Sequence, residues 1–112
     1  MIQIQCRPTH PDNWVEAGLD NIRRYQIPHL DYDNKLCDVR PGPDGCGRIS
    51  CAWGNAIFIC QNNITEPIEF MCHEAASWAR RIVEVCGEGD GVMGAAIDAE
   101  YNFSVEVFHQ KC

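Results

Sequence analysis

The eight cysteines are the residues of this 112-residue chain whose chemistry is easiest to specify. Cysteines either bind zinc as thiolates or oxidise in pairs to disulfides. No two of them are separated by only two residues, and no two histidines have zinc-finger spacing, so the close ligand pairs typical of zinc are missing. We therefore expect four disulfides, of open connectivity, formed by Cys6, Cys37, Cys46, Cys51, Cys60, Cys72, Cys86 and Cys112.

The other residues do not form a recognisable catalytic motif. Of the four histidines, only His73 adjoins a nucleophile, Cys72, and adjacent residues of a helix do not face each other. The metalloprotease motif, the nucleophile elbow and the phosphate-binding glycine loop do not occur. We expect a non-enzymatic protein that needs no metal and no cofactor. A small hydrolase with an acidic pair stays a less favoured alternative, which no spacing supports.

Two further features suggest binding or modification rather than catalysis. Trp14, Trp53 and Trp78 could form a platform for a sugar, so a carbohydrate- or small-ligand-binding module is the main alternative function, although tryptophan more often packs in a core. Asn63-Ile64-Thr65 is an acceptor sequence for N-glycosylation, with Asn63 as the glycan site.

Charge and hydropathy exclude some classes of partner. The chain has 16 acidic and 9 basic residues, a net charge of −7, which argues against nucleic acid and anionic membranes as partners. No apolar run approaches the roughly 18 residues of a membrane span, so no membrane insertion is expected. The start, MIQIQC, has no basic residue and no long apolar segment, so we do not expect it to be a signal peptide. Because disulfides persist outside the cell, we expect a secreted, extracellular protein that is present here as its mature chain.

The hydrophobic periodicity predicts strands and helices in a simple order. Alternation predicts a strand at 2–6 and a last strand at 101–109, and an apolar stripe of Val15, Leu19 and Ile22 predicts a helix over 12–25. A second helix runs from about Thr65 to Cys86 and ends before Gly87. Its predicted inward stripe consists of Ile68, Cys72, Ala75, Ala79, Ile82, Val83 and Cys86. Residues 26–47 form a long loop, and 93–99 are a short strand or a turn.

Residues 48–60 predict a β-hairpin with a two-residue turn at Gly54-Asn55. One face of this hairpin carries Ile49, Cys51, Trp53, Phe58 and Cys60, and we expect it to face the second helix. At least one disulfide should then join Cys51 or Cys60 to Cys72 or Cys86 on that helix. The other face carries Ile57 and Ile59, which are more apolar than a wet surface needs. Either the long loop covers them or they form a homodimer interface.

The order β-α-β-β-α-β predicts an α+β fold of the ferredoxin-like, split-βαβ type. It would be one domain spanning 1–112, a two-layer sandwich of one antiparallel sheet with two helices on one face. The two terminal strands would lie side by side and parallel.

The second half of the chain contains three cysteine-linked motifs in a fixed order. They are Cys46-Gly47-Arg48-Ile49-Ser50-Cys51 followed by Cys60, Cys86-Gly87 at a helix end, and Asn102-Phe103-Ser104-Val105-Glu106-Val107 before Cys112. In these motifs the chain resembles fungal small secreted cysteine-rich proteins. The order of these features is similar to the killer-toxin-like α/β sandwich proteins. The resemblance implies a secreted effector or elicitor that acts without catalytic residues on a host or microbial surface protein or glycan. It does not imply a channel-blocking toxin, because those are basic and this chain is acidic, with only two lysines.

Overall fold

The computed structural model describes residues 2–6, 15–32, 35–37, 45–61, 71–98, 100 and 103–112. Within them, strands β1 (Ile2–Cys6), β3 (Gly45–Ala52), β4 (Asn55–Gln61), β6 (Gly94–Asp98) and β7 (Phe103–His109) form one sheet. Its order is β1-β6-β7-β4-β3, and every neighbouring pair is antiparallel. Two short strands, β2 (Ala17–Gly18) and β5 (Gly91–Val92), pair separately. The fold is therefore α+β with a five-stranded antiparallel sheet.

The prediction for the terminal strands was wrong. β1 does not lie beside β7, because β6 inserts between them and pairs antiparallel with both. The sequence predicted either a short strand or a turn for the stretch that forms β6, because Gly94-Ala95-Ala96 is a weak strand pattern. The specific split-βαβ arrangement is not confirmed.

The first helical segment, residues 19–32, lies later in the chain than predicted. It consists of α1 (Leu19–Asn21), a π-helical stretch (Ile22–Gln26) and α2 (Ile27–Tyr32). Val15, placed in the predicted apolar stripe, is 56% exposed, while Ile22, Ile27 and Leu30 are buried. Pro28 does not end the helix, because the π-helical widening just before it accommodates a residue that cannot donate a backbone hydrogen bond.

The second helix, α3 (Cys72–Cys86), ends where the sequence predicted, with Gly87 at its C-cap. The predicted stripe is confirmed at Cys72, Ala75, Ala79, Ile82 and Val83, which are buried, whereas Cys86 is only partly buried and Ile68 lies outside the described residues. Ala76 is buried as well, although it was not part of the predicted stripe. Small side chains let α3 lie close to the sheet, and it packs on β1, β6 and β7 and against α2. Both helical segments therefore contribute to one core with the same face of the sheet.

The hairpin of β3 and β4 turns at Trp53-Gly54 instead of Gly54-Asn55. Ala52 pairs with Asn55, and a bulge at Ile49 shifts the register further along β3. Cys51, Phe58 and Cys60 share a face as predicted, but this face points away from the helices. The opposite face carries Ile57 and Ile59 and forms the core, so the prediction of which hairpin face packs against the helices was wrong.

All eight cysteines are paired, which confirms the four disulfides. The pairs are Cys6–Cys86, Cys37–Cys72, Cys46–Cys60 and Cys51–Cys112. Cys46–Cys60, here called the hairpin disulfide, joins two residues directly opposite each other in β3 and β4. The expected disulfide from hairpin to helix does not form, because the hairpin cysteines lie on the face of the sheet that is turned away from α3.

Candidate functional site

The disulfides leave no described cysteine for metal binding or nucleophilic chemistry. Cys46 and Cys60 lie with Glu106 so that their potential ligand atoms are within 4.8 Å of one another. Zinc would require both cysteines as thiolates, and their sulfur atoms are joined in the hairpin disulfide. Cys72, next to His73, is likewise bonded to Cys37. The cysteines thus have a structural role in the described protein.

Ile57 and Ile59 do not form an interaction surface. Both side chains are 0% exposed within the single chain and belong to its hydrophobic core. The last strand, β7, offers no edge for a second subunit either, because it lies between β4 and β6 inside the sheet. The homodimer stays a prediction, but these residues no longer support it.

The predicted glycan site and two of the three tryptophans do not contribute to an exposed site in the described part of the chain. Asn63 and Trp14 lie outside the described residues. Trp78 is half-buried and packs against the core, and its ring lies 4.8 Å from that of Phe103. Trp78 is therefore part of the packing, which leaves Trp53 as the described tryptophan that can meet a ligand.

Trp53, Tyr25 and Tyr32 form the most exposed aromatic surface of the described chain, which we call the aromatic ridge. Their side chains are 91%, 65% and 91% exposed. Large aromatic side chains usually contribute by burial, so three that are left in water on neighbouring surfaces point to contact with another molecule.

Two shallow cavities connect the three rings. The first, here the hairpin cavity, has a volume of about 610 Å³ and is lined by Trp53 and Tyr25 together with Asp20, Asn21, Arg23 and Asp90. The second, here the helix cavity, has a volume of about 590 Å³ and lies between Tyr25 and Tyr32. Tyr25 lines both cavities, so the ridge is one continuous surface.

Trp53 occupies an unusual backbone conformation at the hairpin tip. Its φ angle is 56°, which makes it the only non-glycine residue with a positive φ in the described chain, and Gly54 follows with a φ of 78°. Two consecutive positive φ values are typical of a type I′ turn, whose first position favours asparagine, aspartate or glycine. A tryptophan there is disfavoured by about 1–2 kcal/mol.

Buried hydrogen bonds around Asn55 hold the hairpin tip in this register. The Gly18 amide donates to Asn55 Oδ1 at 2.6 Å, and Gln26 Nε2 donates to the Asn55 carbonyl oxygen at 2.8 Å. Gln26 Nε2 also donates to Asn21 Oδ1 at 2.6 Å. Because Asn21 lines the hairpin cavity, this network ties the wall of the cavity to the strand that follows Trp53.

Two cavities are each lined by two carboxylates, but none of these four carboxylates is buried as the general acid of a hydrolase usually is. Asp20 and Asp90 share the hairpin cavity, and Glu16 and Glu88 share a smaller one of about 310 Å³. All four are exposed to solvent, and Asp20 forms an ion pair with Arg24 at 2.8 Å. A general acid needs a carboxyl group that its surroundings keep protonated, usually by burial. The geometry does not favour the hydrolase alternative.

No family model, curated protein or solved structure matches this chain. The likeness to fungal cysteine-rich proteins therefore depends on the residue pattern alone. Among the described residues, no helix is both long enough and apolar enough to span a membrane.

Sequence reasoning missed the two tyrosines of the ridge and the position of Trp53. Tyr25 falls at the end of the helix predicted over 12–25, and Tyr32 falls in the predicted loop, because the helical segment begins seven residues later than predicted. A helix over 19–32 would have placed Tyr25, His29 and Tyr32 on one outer face, at spacings of four and three residues. The combination of an apolar stripe and this aromatic face was the signal that could have identified the site.

Proposed function

We propose that the chain is a secreted, non-enzymatic recognition protein of the effector or elicitor type, which binds a host or competitor surface molecule through the aromatic ridge. The four disulfides support secretion, since such bonds persist in oxidising compartments. The antiparallel sheet with helices on its core face supports a relation to the killer-toxin-like sandwich proteins, which is part of the same proposal.

The backbone of Trp53 is the observation that carries this proposal. The residue is 91% exposed and has a φ of 56°, so it gains little from packing while its conformation is unfavourable. Residues in strained backbone conformations cluster at binding and active sites, where function outweighs stability. Selection for the fold alone would favour asparagine or glycine at this turn position.

The variant Trp53→Asn tests the proposal because it separates stability from function. Asparagine adopts the left-handed conformation more easily, so the free energy of unfolding should rise by about 1 kcal/mol. The recognition activity should fall at the same time. Stability is measured by urea denaturation of the oxidised protein, and activity by the cell-death or oxidative-burst response of infiltrated leaf tissue and by growth inhibition of competing fungi.

The control is Val85→Ala, which removes another exposed apolar side chain, on α3 and outside the aromatic ridge. It should leave the response unchanged. A Trp53→Asn protein that is more stable and equally active would contradict the role of the ridge. A wild-type protein that provokes no response and labels no cell surface would contradict the effector proposal itself.

A further inference from the structure

The helix cavity has a chemical character that sets it apart from the rest of this acidic protein. It opens on the outer side of the first helical segment, with a volume of about 590 Å³, and its described lining consists of Arg24, Tyr25, Pro28, His29, Tyr32 and Lys35. Two of these side chains are cationic, and none of the described lining residues carries a carboxylate. The chain as a whole, by contrast, has a net charge of −7.

The arginine of this cavity can exchange its partner for a ligand. Arg24 Nε lies 2.8 Å from Asp20 Oδ1, but the two side chains are 66% and 64% exposed. Ion pairs this exposed contribute little, because water screens them and holding both side chains costs entropy. A carboxylate entering the cavity can therefore bind the guanidinium, whose planar array of donors matches the two oxygens of a carboxylate.

The two tyrosines indicate a second chemical feature of the ligand, a sugar ring. Tyr25 and Tyr32 are seven residues apart on one helical segment, which separates them by about 10 Å along the axis. A flat exposed ring packs well against the C–H face of a sugar ring, and the phenol hydroxyl can bond to its hydroxyl groups. A platform of this length suits two linked rings better than one.

We propose that the helix cavity binds a uronate unit of an acidic polysaccharide, with the next sugar unit lying along the part of the aromatic ridge between Tyr25 and Tyr32, away from the carboxylates of the hairpin cavity. Tyr25 and Tyr32 would support the sugar rings, while Arg24 and Lys35 bind the carboxylate. This assignment depends on the proposed function and names the class of ligand for the same surface. Because every unit of a polyuronate carries a carboxylate, one chain can bind in several registers, which suits an open cavity.

The test is calorimetric titration of the oxidised protein with three ligands: an oligogalacturonate, galacturonate monomer and a neutral chitin oligomer. The oligogalacturonate should bind, and its affinity should fall as salt is added, since exposed charges are screened. Tyr32→Ala should weaken binding about tenfold and Lys35→Gln about fivefold. Arg81→Gln, an exposed arginine of α3 outside the cavity lining, is the matched control and should bind like the wild type.

Several results would overturn the assignment. Absence of oligogalacturonate binding would do so, as would equal affinity for the neutral oligomer, which would show that charge is not recognised. Equal affinity for the monomer would show that the ridge does not hold linked sugars. Losses of the same size in Lys35→Gln and Arg81→Gln would indicate a general charge effect. If Trp53→Asn abolishes the tissue response while no uronate binds, the recognition role survives and only the ligand assignment fails.

Discussion

Replacing Ile57 by alanine tests which face of the hairpin is the core. The side chain is 0% exposed and lies opposite Val107 in the sheet, under the helical layer. The change removes three carbon atoms, each worth about 0.8 kcal/mol of transfer free energy, and leaves a cavity that the surrounding side chains fill only in part. We expect the free energy of unfolding to fall by about 3–4 kcal/mol.

The assay is urea denaturation with the disulfides intact, and Ile97→Ala is the matched control. Ile97 pairs with Ser104 on the outer face of the sheet and is only partly buried, so the same change should cost about 1 kcal/mol or less. Equal losses in the two variants would refute the assignment of the core face. Unchanged stability together with loss of a dimer in Ile57→Ala would instead restore the interface that the sequence first suggested.

Two further substitutions test the hairpin tip and the disulfide framework. Gly54→Ala should lower the free energy of unfolding by about 1–2 kcal/mol, because the φ of Gly54 is 78° and a Cβ there would lie 2.6 Å from His109 Cε1. In a protein that also carries His109→Ala, only the part of this loss that the steric contact causes should be recovered. Urea denaturation of both proteins measures the difference. Replacing Cys6 and Cys86 by serine opens a closed loop with a sequence separation of 80 and should lower stability by about 4 kcal/mol, against about 3 kcal/mol for the hairpin disulfide. A thermal-melting order opposite to this one would contradict the entropic reasoning.

Local patterns predicted most of the individual elements. Alternation located β1 and β7, the inward stripe located α3, and Gly87 marked its end. The division of the hairpin into two faces was also largely right, because strand side chains alternate whatever the sheet packs against. Alternation alone does not show which of the two faces is covered by the helices. Cysteines suggested that Cys51 and Cys60 point inward, but their partners are Cys112 and Cys46, and these two bonds clamp the outer side of the sheet.

The helical segment shows a second limit of sequence reasoning. Proline inside a helical pattern normally predicts an end or a kink, because it cannot donate to the preceding turn. Here Ile22–Gln26 widens to a π-helix before Pro28, and the helix continues to Tyr32. Short π-helical segments have no clear sequence signature and frequently occur at functional sites. Because the helical segment continues past Pro28, it reaches Tyr32, which is exposed on it together with Tyr25.

The position of Trp53 could be derived only from contacts distant in sequence. Gly-Asn and Trp-Gly are both admissible as turn residues, and the choice between them is made by Asn55, whose buried side chain bonds to the Gly18 amide and whose carbonyl oxygen bonds to Gln26. Once Asn55 is held inside β4, the turn must fall on Trp53-Gly54, and the tryptophan takes the left-handed position. The buried network therefore fixes the register that leaves Trp53 both strained and exposed. A sequence under selection for the hairpin alone could relieve that strain with a single substitution, and the proposed recognition role would account for the tryptophan that stands there.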